Sequence, residues 1–427
     1  MTIDRNVSRR RFLRRAAAGT AAAAAFPYLI PRHVLGAPGR PGANDRIQVG
    51  VIGVGNRANL LIDQLPQPGQ VAALADCWLA RCEQAAAKRQ AKWDLYQDYR
   101  RILDRKDIDA VIVATPDHGR VLAAIHACQA GKDVYAEKPL TLYPAEGRAL
   151  VNAARKYKRV FQVGSQQRSM QMNQIACRLV RTGGLGKITL VQGVNYPSSN
   201  TVTELPEEAV PDKLDWDVWL GQAAQRRYNK KLHTSWMSWW DYSGGEMTNW
   251  GAHGLDQVQW ALGMDQTGPV ELWPMEGGPA GAVAFRYENG VEVHLDLPQN
   301  DLQGGARFIG EKGQIDIWRN NFKLDAPGVT LELPPKQEID KWHDNVALWQ
   351  AEYHMGFWLE AIPGRKTPNA DVEIGHRSVT VCHLANITRR LNRRLRWDPE
   401  KEEFPGDREA NLLANRERRK GWELPKV

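Results

Sequence analysis

Cysteines are few in this sequence, and their placement excludes two kinds of site. The chain of 427 residues contains only five. They are odd in number and scattered, without the close pairing of a zinc site or the even framework of a small disulfide-bonded domain. We therefore predict no metal site and expect these thiols to lie in hydrophobic cores. The five are Cys77, Cys82, Cys128, Cys177 and Cys382.

The body of the chain also lacks an excess of charge of either sign. The formal net charge is +8, but eight arginines and only one acid lie in residues 1–40. The remaining chain carries 49 basic and 48 acidic side chains. This balance argues against nucleic acid or an anionic membrane surface as a partner.

The N-terminus has no apolar run long enough for a permanent membrane anchor. Residues 8–14 read SRRRFLR and precede an alanine-rich stretch of about 15 residues at 16–30, whereas a membrane-spanning helix needs about 20. Paired arginines before a short apolar stretch are typical of a twin-arginine export signal. We predict a signal and linker at residues 1–40, cleaved near Ala37, and a periplasmic or exported protein; a cytosolic basic tail is the alternative.

Length and composition indicate a soluble protein of about two domains. Residues 45–165 alternate short apolar runs with helical segments, which predicts a Rossmann domain with a doubly wound parallel sheet. Period-two stretches such as residues 291–297 predict a large, mostly antiparallel sheet in an α+β domain over 166–400, which would bind substrate and form oligomers. Residues 401–427 read as a charged tail.

A dinucleotide fingerprint follows the first predicted strand. Gly53 and Gly55 end that strand and open a helix, so the backbone can approach a pyrophosphate at the helix N-terminus. Ala58 takes the third position of the pattern. Asp76 ends the second strand, 21 residues after Gly55, where an acid binds the adenosine ribose and repels a 2′-phosphate. The pattern therefore predicts NAD rather than NADP, although Arg57 and Arg81 would moderate that preference.

Motifs along most of the chain resemble those of the Gfo/Idh/MocA oxidoreductases. They run in the order GVIGVGNRA, AD, ATPDH, AGKDVYAEKPL and VGSQQR, then SGGEMTNWGAHGLDQVQWALG, GEKGQIDI and PNADVEIGHRS, over about residues 45–400. This family includes glucose–fructose oxidoreductase and inositol dehydrogenase. The predicted cofactor-binding residues are Gly53, Gly55, Asn56, Arg57, Asp76, Arg81, Thr115, Pro116, His118, Glu137, Lys138 and Gln166.

The resemblance places Lys138 and His253 beside the nicotinamide, as catalytic residues together with Asn249. On unperturbed pKa values His253 is the better proton acceptor, and Lys138 orients the hydroxyl. Many family members carry Asp where Asn249 stands, so a Lys–Asp–His relay loses its carboxylate here. Arg120 replaces a histidine of close relatives and either favours an acidic substrate group or pairs with a carboxylate.

The tryptophan-rich stretch before His253 suggests a substrate wall. Indole faces stack on sugars, and Trp236 and Trp239 are our candidates, whereas Trp250 and Trp260 are expected in the core. The other candidate substrate residues are Arg168 and Asp256, and Asp256 would either orient the imidazole of His253 or remain an ordinary hydrogen-bonded acid.

Three functions remain open at this point. The first is hydride transfer between NAD and a secondary alcohol of a sugar, polyol or related carbohydrate, by a homo-oligomer without a stable membrane anchor. The second is glycoside hydrolysis through transient oxidation, elimination and re-reduction on bound NAD. The third is a non-catalytic sugar or nucleotide sensor, disfavoured because Lys138 and His253 are both present.

Overall fold

The computed structural model of the protein describes residues 45–278, 280–337 and 351–427. The predicted export signal and linker at residues 1–40 lie outside the described residues. Residues from Ile47 to Val427 form one compact unit that contains two sheets.

The first sheet has six parallel strands in the order β3-β2-β1-β4-β5-β6. Its strands are β1 (Ile47–Ile52), β2 (Gly69–Ala75), β3 (Asp94–Tyr96), β4 (Ala110–Val113), β5 (Asp133–Ala136) and β6 (Phe161–Val163). The helices between them are α1 (Asn56–Asp63), α2 (Leu79–Lys88), α3 (Arg100–Leu103), α4 (Asp117–Gln129) and α5 (Pro144–Lys156). Every residue of β4 and β5 is buried, as expected for parallel strands covered on both faces.

The strand order of this sheet reverses beside β1. From β1 the chain runs to β2 on one side, and β4 lies on the other, so the carboxyl ends of β1 and β4 border a crevice. The predicted doubly wound sheet is confirmed, and the crevice lies where such folds bind their ligands.

The second sheet has eight strands in the order β13-β12-β11-β7-β10-β9-β8-β14. Its strands are β7 (Ile188–Val194), β8 (Glu271–Pro274), β9 (Val283–Arg286), β10 (Glu292–Leu297), β11 (Ala306–Gly310), β12 (Gly313–Trp318), β13 (Asn321–Asp325) and β14 (Leu395–Arg396). Its pairings are antiparallel except between β7 and β10. The predicted mostly antiparallel sheet is therefore confirmed.

One long helix connects the two sheets. The helices after β6 are α6 (Gln171–Arg181), α7 (Trp216–Leu220), α8 (Lys230–Thr234), α9 (Glu246–Asn249), α10 (Gly251–Leu262), α11 (Glu352–Gly364), α12 (Val372–Leu391) and α13 (Arg408–Leu413). Helix α12 packs against α10 and β8 on one side and against α5 and β6 on the other. It is buried almost all round, so it serves both cores.

The charged tail is partly structured and packed. It contains α13, and Phe404, Ala410 and Ala414 are buried in the core of the second sheet. All five cysteines are free thiols, four of them buried as predicted, and Cys77 is half-buried.

The described residues contain neither a helix suited to span a membrane nor a cluster of metal-binding side chains. No described helix is long and apolar enough to cross a membrane. Within the same part of the chain, no group of three or more His, Cys, Asp and Glu side chains is placed to hold a metal ion.

Candidate active site at the carboxyl ends of the first sheet

The turn between β1 and α1 depends on two glycines for different reasons. Gly53 has φ +83°, and a Cβ atom there would lie 2.7 Å from the Thr115 nitrogen, so a larger residue would collide with β4. Gly55 caps α1, and a Cβ atom there would meet nothing within 4 Å. The helix N-terminus therefore opens onto free space, which suits a bound pyrophosphate.

Asp76 holds this turn in place from the end of β2. Its Oδ2 accepts a hydrogen bond from the Val54 nitrogen at 2.7 Å, and its Oδ1 accepts one from the Trp78 nitrogen at 2.8 Å. An ionised carboxylate offers about four lone-pair sites. Asp76 therefore keeps acceptor capacity for the hydroxyl groups of a ribose.

A cleft, here called the dinucleotide cleft, runs along these strand ends. Its walls contain the predicted cofactor residues Gly53, Asp76, Arg81, Thr115, Pro116 and His118. They also contain residues that the motifs did not reveal, namely Gln97, Tyr99, Trp219 and Trp422. The glycine turn, the open helix terminus and the acid together fit a dinucleotide.

His118 lines this cleft and also connects two helices through a hydrogen bond. Its Nε2 donates to the carbonyl oxygen of Trp219 at 2.7 Å, and its ring packs on Trp219 and Tyr242. Burial lowers the pKa of His118 to about 3, so the ring is neutral at physiological pH. It therefore fastens α7 to the start of α4.

Three further predicted cofactor residues are bonded to one another. Arg57 donates from Nε to Glu137 Oε1 at 2.8 Å and from Nη2 to Gln166 Oε1 at 2.6 Å. The second carboxylate oxygen of Glu137 accepts the Lys138 backbone N–H at 3.2 Å. Asn56, the first residue of α1, is exposed.

Lys138 extends from the end of β5 to α9. Its Nζ donates to the Asn249 side-chain oxygen at 2.7 Å and to the Asn249 carbonyl at 3.1 Å. Burial, together with the nearby charges of Arg57 and Arg319, lowers the pKa of Lys138 to about 8 despite the opposing effects of Glu137 and Asp117. The amine can therefore exchange a proton near neutral pH.

Asn249 in turn bonds to a carboxylate that the motifs did not reveal. Its Nδ2 donates to Glu246 Oε2 at 3.0 Å, one helical turn earlier in α9. This acceptor fixes the amide so that its oxygen faces Lys138. The carboxylate missing at position 249 is thus supplied by Glu246, one hydrogen bond farther from the amine. The signal in the sequence that could have revealed Glu246 is its position three residues before Asn249, on the same face of a helix.

His253 lies on the next helix, α10, and is buried. Its ring has no hydrogen-bond partner among the described residues. Burial, followed by the charges of Lys138, Arg319 and Arg57, holds the pKa of His253 well below its usual range. The imidazole is therefore neutral and weakly basic. Of the two side chains, Lys138 therefore has the pKa nearer to neutral pH, whereas the pKa of His253 lies well below its usual range.

Arg319 brings a second guanidinium to this site from the end of β12. It is buried, and its guanidinium carbon lies 5.5 Å from the ring centroid of Trp250. Burial and the charge of Arg57 lower its pKa to about 10. Sequence reasoning missed Arg319 because it follows a strand of the other sheet.

Arg120 is buried, and its partners among the described residues are one carboxylate and two carbonyl oxygens. It forms an ion pair with Asp117 at 3.2 Å and donates to the carbonyl oxygens of Thr115, at 2.6 Å, and Pro139. Asp117 also accepts from Ser243 Oγ at 2.9 Å. Of the two possibilities for Arg120, the structure supports pairing with a carboxylate.

The candidate substrate residues Arg168 and Asp256 face each other in the interior. Arg168 Nε lies 2.8 Å from Asp256 Oδ2, and both side chains are almost fully buried. Arg168 also bonds to Asp265, and Asp256 accepts from Ser378 Oγ at 2.7 Å. Of the two alternatives for Asp256, the structure supports the hydrogen-bonded acid, because its carboxylate is bound to Arg168 and Ser378.

A second cleft, here called the hydroxyl cleft, lies near α9 and is lined by both polar and apolar residues. Its lining residues are Pro197, Ser198, Ser199, Asn200, Met237, Ser238, Gly245, Glu246 and Ala280. Trp236 and Trp239 flank Met237 and Ser238 but pack against the small core around Trp216 and Trp219. Trp250 and Trp260 pack against the core of the second sheet, as expected. Glu246 belongs both to this cleft and to the Lys138–Asn249 chain.

Comparisons with known proteins agree with this geometry. Residues 47–165 match the NAD-binding Rossmann fold of an oxidoreductase family, and residues 178–424 match the C-terminal alpha/beta domain of the same family. Inositol 2-dehydrogenase of Salmonella paratyphi B is 25% identical over 172 residues, which cover 39% of this chain and 50% of that protein. The chain thus spans half the length of such relatives.

Two further similarities extend this result. Levoglucosan dehydrogenase of Pseudarthrobacter phenanthrenivorans is 32% identical over 243 residues, which cover 55% of each chain. The crystal structure of the WlbA dehydrogenase from Bordetella pertussis, in complex with NADH and UDP-GlcNAcA, has the same fold, with a TM-score of 0.59, 18% identity and coverage of 83% of this chain and 99% of that one. Because both of its domains match this family, the chain belongs to the Gfo/Idh/MocA oxidoreductase family and contains its NAD-binding Rossmann domain.

Proposed function

We propose that the protein transfers hydride between NAD and a secondary alcohol of a sugar, polyol or related carbohydrate. The observation that carries this is the chain Lys138–Asn249–Glu246, which joins an amine with a pKa of about 8 to the hydroxyl cleft. The serines, amide and carboxylate of that cleft are the groups that bind polyols. The names of the relatives, inositol 2-dehydrogenase and levoglucosan dehydrogenase, support the same substrate class.

The residues divide the work as follows. NAD, when bound, supplies the hydride acceptor. Neutral Lys138 takes the hydroxyl proton as hydride leaves the same carbon, and it returns that proton in the reverse reaction. Asn249 holds the amine through two hydrogen bonds. Neutral His253 hydrogen-bonds the hydroxyl and keeps it directed at Lys138. Asp76 binds the adenosine ribose and disfavours the 2′-phosphate of NADP.

The test is a panel of sugars, polyols and glycosides with NAD and the purified protein. We expect NADH absorbance and a carbonyl product, detected by mass spectrometry, with at least one alcohol. Release of an aglycone without net NADH would instead indicate glycoside cleavage through transient oxidation. No reaction and no nucleotide binding would leave the sensor function and overturn the proposal.

We further propose that the protein is exported by the twin-arginine route. The arginines, the Phe-Leu pair and the short apolar stretch at residues 8–30 occur in the order that this route requires. We expect the full-length protein in the periplasmic fraction, and expect Arg9→Lys/Arg10→Lys to retain it in the cytoplasm. If the unmodified protein and the double variant were distributed equally between periplasm and cytoplasm, the export proposal would be overturned and the enzymatic proposal would be unaffected.

We also propose a homo-oligomer that uses the second sheet. Helices α6, α10 and α12 pack beside this sheet, while Gln192, His294 and Arg307 are only partly buried polar residues on its strands. Light scattering after gel filtration would show a multiple of the chain mass, and a monomeric mass would refute the proposal.

A further inference from the structure

We propose that residues 416–422, here called the C-terminal clasp, close one end of the dinucleotide cleft so that bound NAD leaves slowly. This inference rests on the proposed NAD site. The end concerned lies at Asp76, the acid that meets the adenosine ribose in this type of fold. The clasp comes from the opposite end of the chain, far from the fingerprint in sequence.

Trp422 is the part of the clasp that faces the cleft. Its side chain lines the same space as Asp76, Thr115 and Pro116. The indole lies against the backbone of Gly221, where an added Cβ atom would be 3.7 Å from the ring. A nucleotide in this cleft therefore shares its space with a large aromatic wall, and aromatic rings contribute strongly to holding bases.

Arg419 fastens the clasp to the cleft-lining helix α7. Its Nε donates to the Gly221 carbonyl at 2.9 Å and its Nη2 to the Asp217 carbonyl at 2.8 Å. Its Nη1 forms an ion pair with the Asp217 carboxylate at 2.5 Å. The Trp422 backbone N–H donates to the Arg419 carbonyl at 3.0 Å, so this anchor also positions the indole.

Arg416 fastens the clasp to helices α4 and α5. Its guanidinium donates to the His118 carbonyl at 2.8 Å and pairs with Glu146 at 2.9 Å, where both side chains are almost fully buried. Partly buried Leu424 and Val427 pack against the core of the first sheet beyond the clasp. These contacts explain why the tail is held against the protein. They do not explain why the Trp422 side chain lies at the cleft, and the clasp accounts for that position.

Helix α7 forms the matching wall and is itself tied to the cofactor loop. The Asp215 nitrogen donates to the Cys77 carbonyl at 2.8 Å, and the Leu79 nitrogen donates to the Lys213 carbonyl at 3.0 Å. Trp219 is bonded to His118, as described above. The cleft thus has two walls from outside the Rossmann sheet, and both are anchored to it, so nucleotide release requires the clasp to open.

The test measures NADH release from the intact protein. Protein is loaded with NADH and mixed with excess NAD, and release is followed by the loss of energy transfer from tryptophan to bound NADH. We expect slow release from the unmodified protein, and release faster by roughly tenfold to a hundredfold for Trp422→Ala and Arg419→Ala. Trp422→Phe keeps an aromatic wall and should stay within a fewfold of the unmodified protein.

Arg393→Ala is the matched control. It removes an exposed ion pair with Asp407 in the same tail, away from the cleft, and should leave NADH release unchanged. Thermal unfolding of each variant verifies that it is folded. Equal release rates for the unmodified protein, Trp422→Ala and Arg419→Ala would overturn the clasp, whereas failure of the unmodified protein to bind NADH at all would overturn the NAD site itself.

Discussion

Lys138 owes its chemistry to its surroundings. The amine is bonded to Asn249 and lies near two guanidinium groups, and burial contributes most to bringing its pKa to about 8. A lysine that is half neutral near pH 8 can accept a proton from an alcohol and return it. The same residue on the surface would stay protonated throughout the physiological range.

The first prediction concerns the pH dependence that follows from this pKa. Oxidation needs neutral Lys138, so kcat/KM for the alcohol should rise with pH and level off above about 8. Reduction needs the protonated amine and should fall over the same range. Lys138→Arg keeps the charge but cannot release the proton, so kcat should fall roughly 10²–10⁴-fold. A Lys138→Arg variant with normal activity and the same pH profile would show that only the charge matters.

The second prediction concerns Glu246 as a positioning residue. Glu246→Gln removes a negative charge two hydrogen bonds from Lys138, which should lower the pKa of the amine and shift the rise in kcat/KM to lower pH. Glu246→Ala also removes the acceptor for Asn249 Nδ2 and should reduce kcat further. Glu204→Gln is the control, because Glu204 is an exposed acid in the segment between β7 and α7. A purely structural Glu246 would leave the pH profile unmoved.

The sequence indicated the candidate catalytic residues but not the charged residues around them. Lys138, Asn249 and His253 were predicted from motifs, and the structure brings Lys138 and Asn249 into contact. Glu246 and Arg319 were missed, because a hydrogen bond between side chains and the approach of a distant strand leave no mark in local spacing. Burial contributes most to the pKa shifts of Lys138 and His253 and is not visible in the sequence. The sequence prediction of His253 as the proton acceptor was therefore made on unperturbed pKa values, whereas we propose Lys138 as the acceptor.

Among the elements, the turn between β1 and α1 is held by Asp76 from the neighbouring strand. The third prediction is that Asp76→Asn weakens NAD binding by about tenfold and narrows the preference for NAD over NADP, because one ribose acceptor and the negative charge are lost. Titration with both nucleotides measures this. Asp94→Asn, at the exposed start of β3, should leave both affinities unchanged. An Asp76→Asn variant with unchanged affinities for NAD and NADP would contradict the assignment of Asp76 to the adenosine ribose.

Helix α10 is locked to the segment after β6 by the buried pair Arg168–Asp256. The fourth prediction is that Asp256→Ala destabilises the protein by about 3 kcal/mol, because the buried Arg168 guanidinium keeps only Asp265 of its two carboxylate partners and Ser378 loses its acceptor. Chemical unfolding measures the loss. Glu207→Ala, which breaks an exposed ion pair, should cost far less. A stable Asp256→Ala variant with a raised KM would restore Asp256 as a substrate residue.

The elements themselves were predictable to different degrees. The parallel strands and the antiparallel sheet follow from hydrophobic periodicity, and both predictions are confirmed. The pairing of Arg168 with Asp256 was not predicted, because residues 88 positions apart meet only through the fold. Trp236 and Trp239 pack against a small tryptophan-rich core and also flank two residues that line the hydroxyl cleft, so their place at a substrate wall stays a prediction.

At the scale of the whole molecule, the nucleotide site is assembled from both ends of the chain. The fingerprint lies near the beginning, whereas α7 and the C-terminal clasp complete the cleft from the second half. Helix α12 packs on both sheets, so the hydroxyl cleft and the dinucleotide cleft are held in one compact unit. Hydride transfer from an alcohol to a bound nucleotide requires both clefts to be held at a fixed position relative to each other.

The central claim, hydride transfer from a carbohydrate alcohol to NAD with Lys138 as proton acceptor, is tested most directly in a single turnover. Protein loaded with NAD is mixed with each sugar or polyol that binds, and the fluorescence of enzyme-bound NADH is followed. We predict that NADH forms with at least one alcohol in the unmodified protein. Lys138→Ala, measured at saturating NAD because Lys138 is also a predicted cofactor-binding residue, should form NADH at least 100-fold more slowly, roughly the lower limit for losing a general base. No NADH with any alcohol despite bound NAD, or equal rates in the two proteins, would contradict the account.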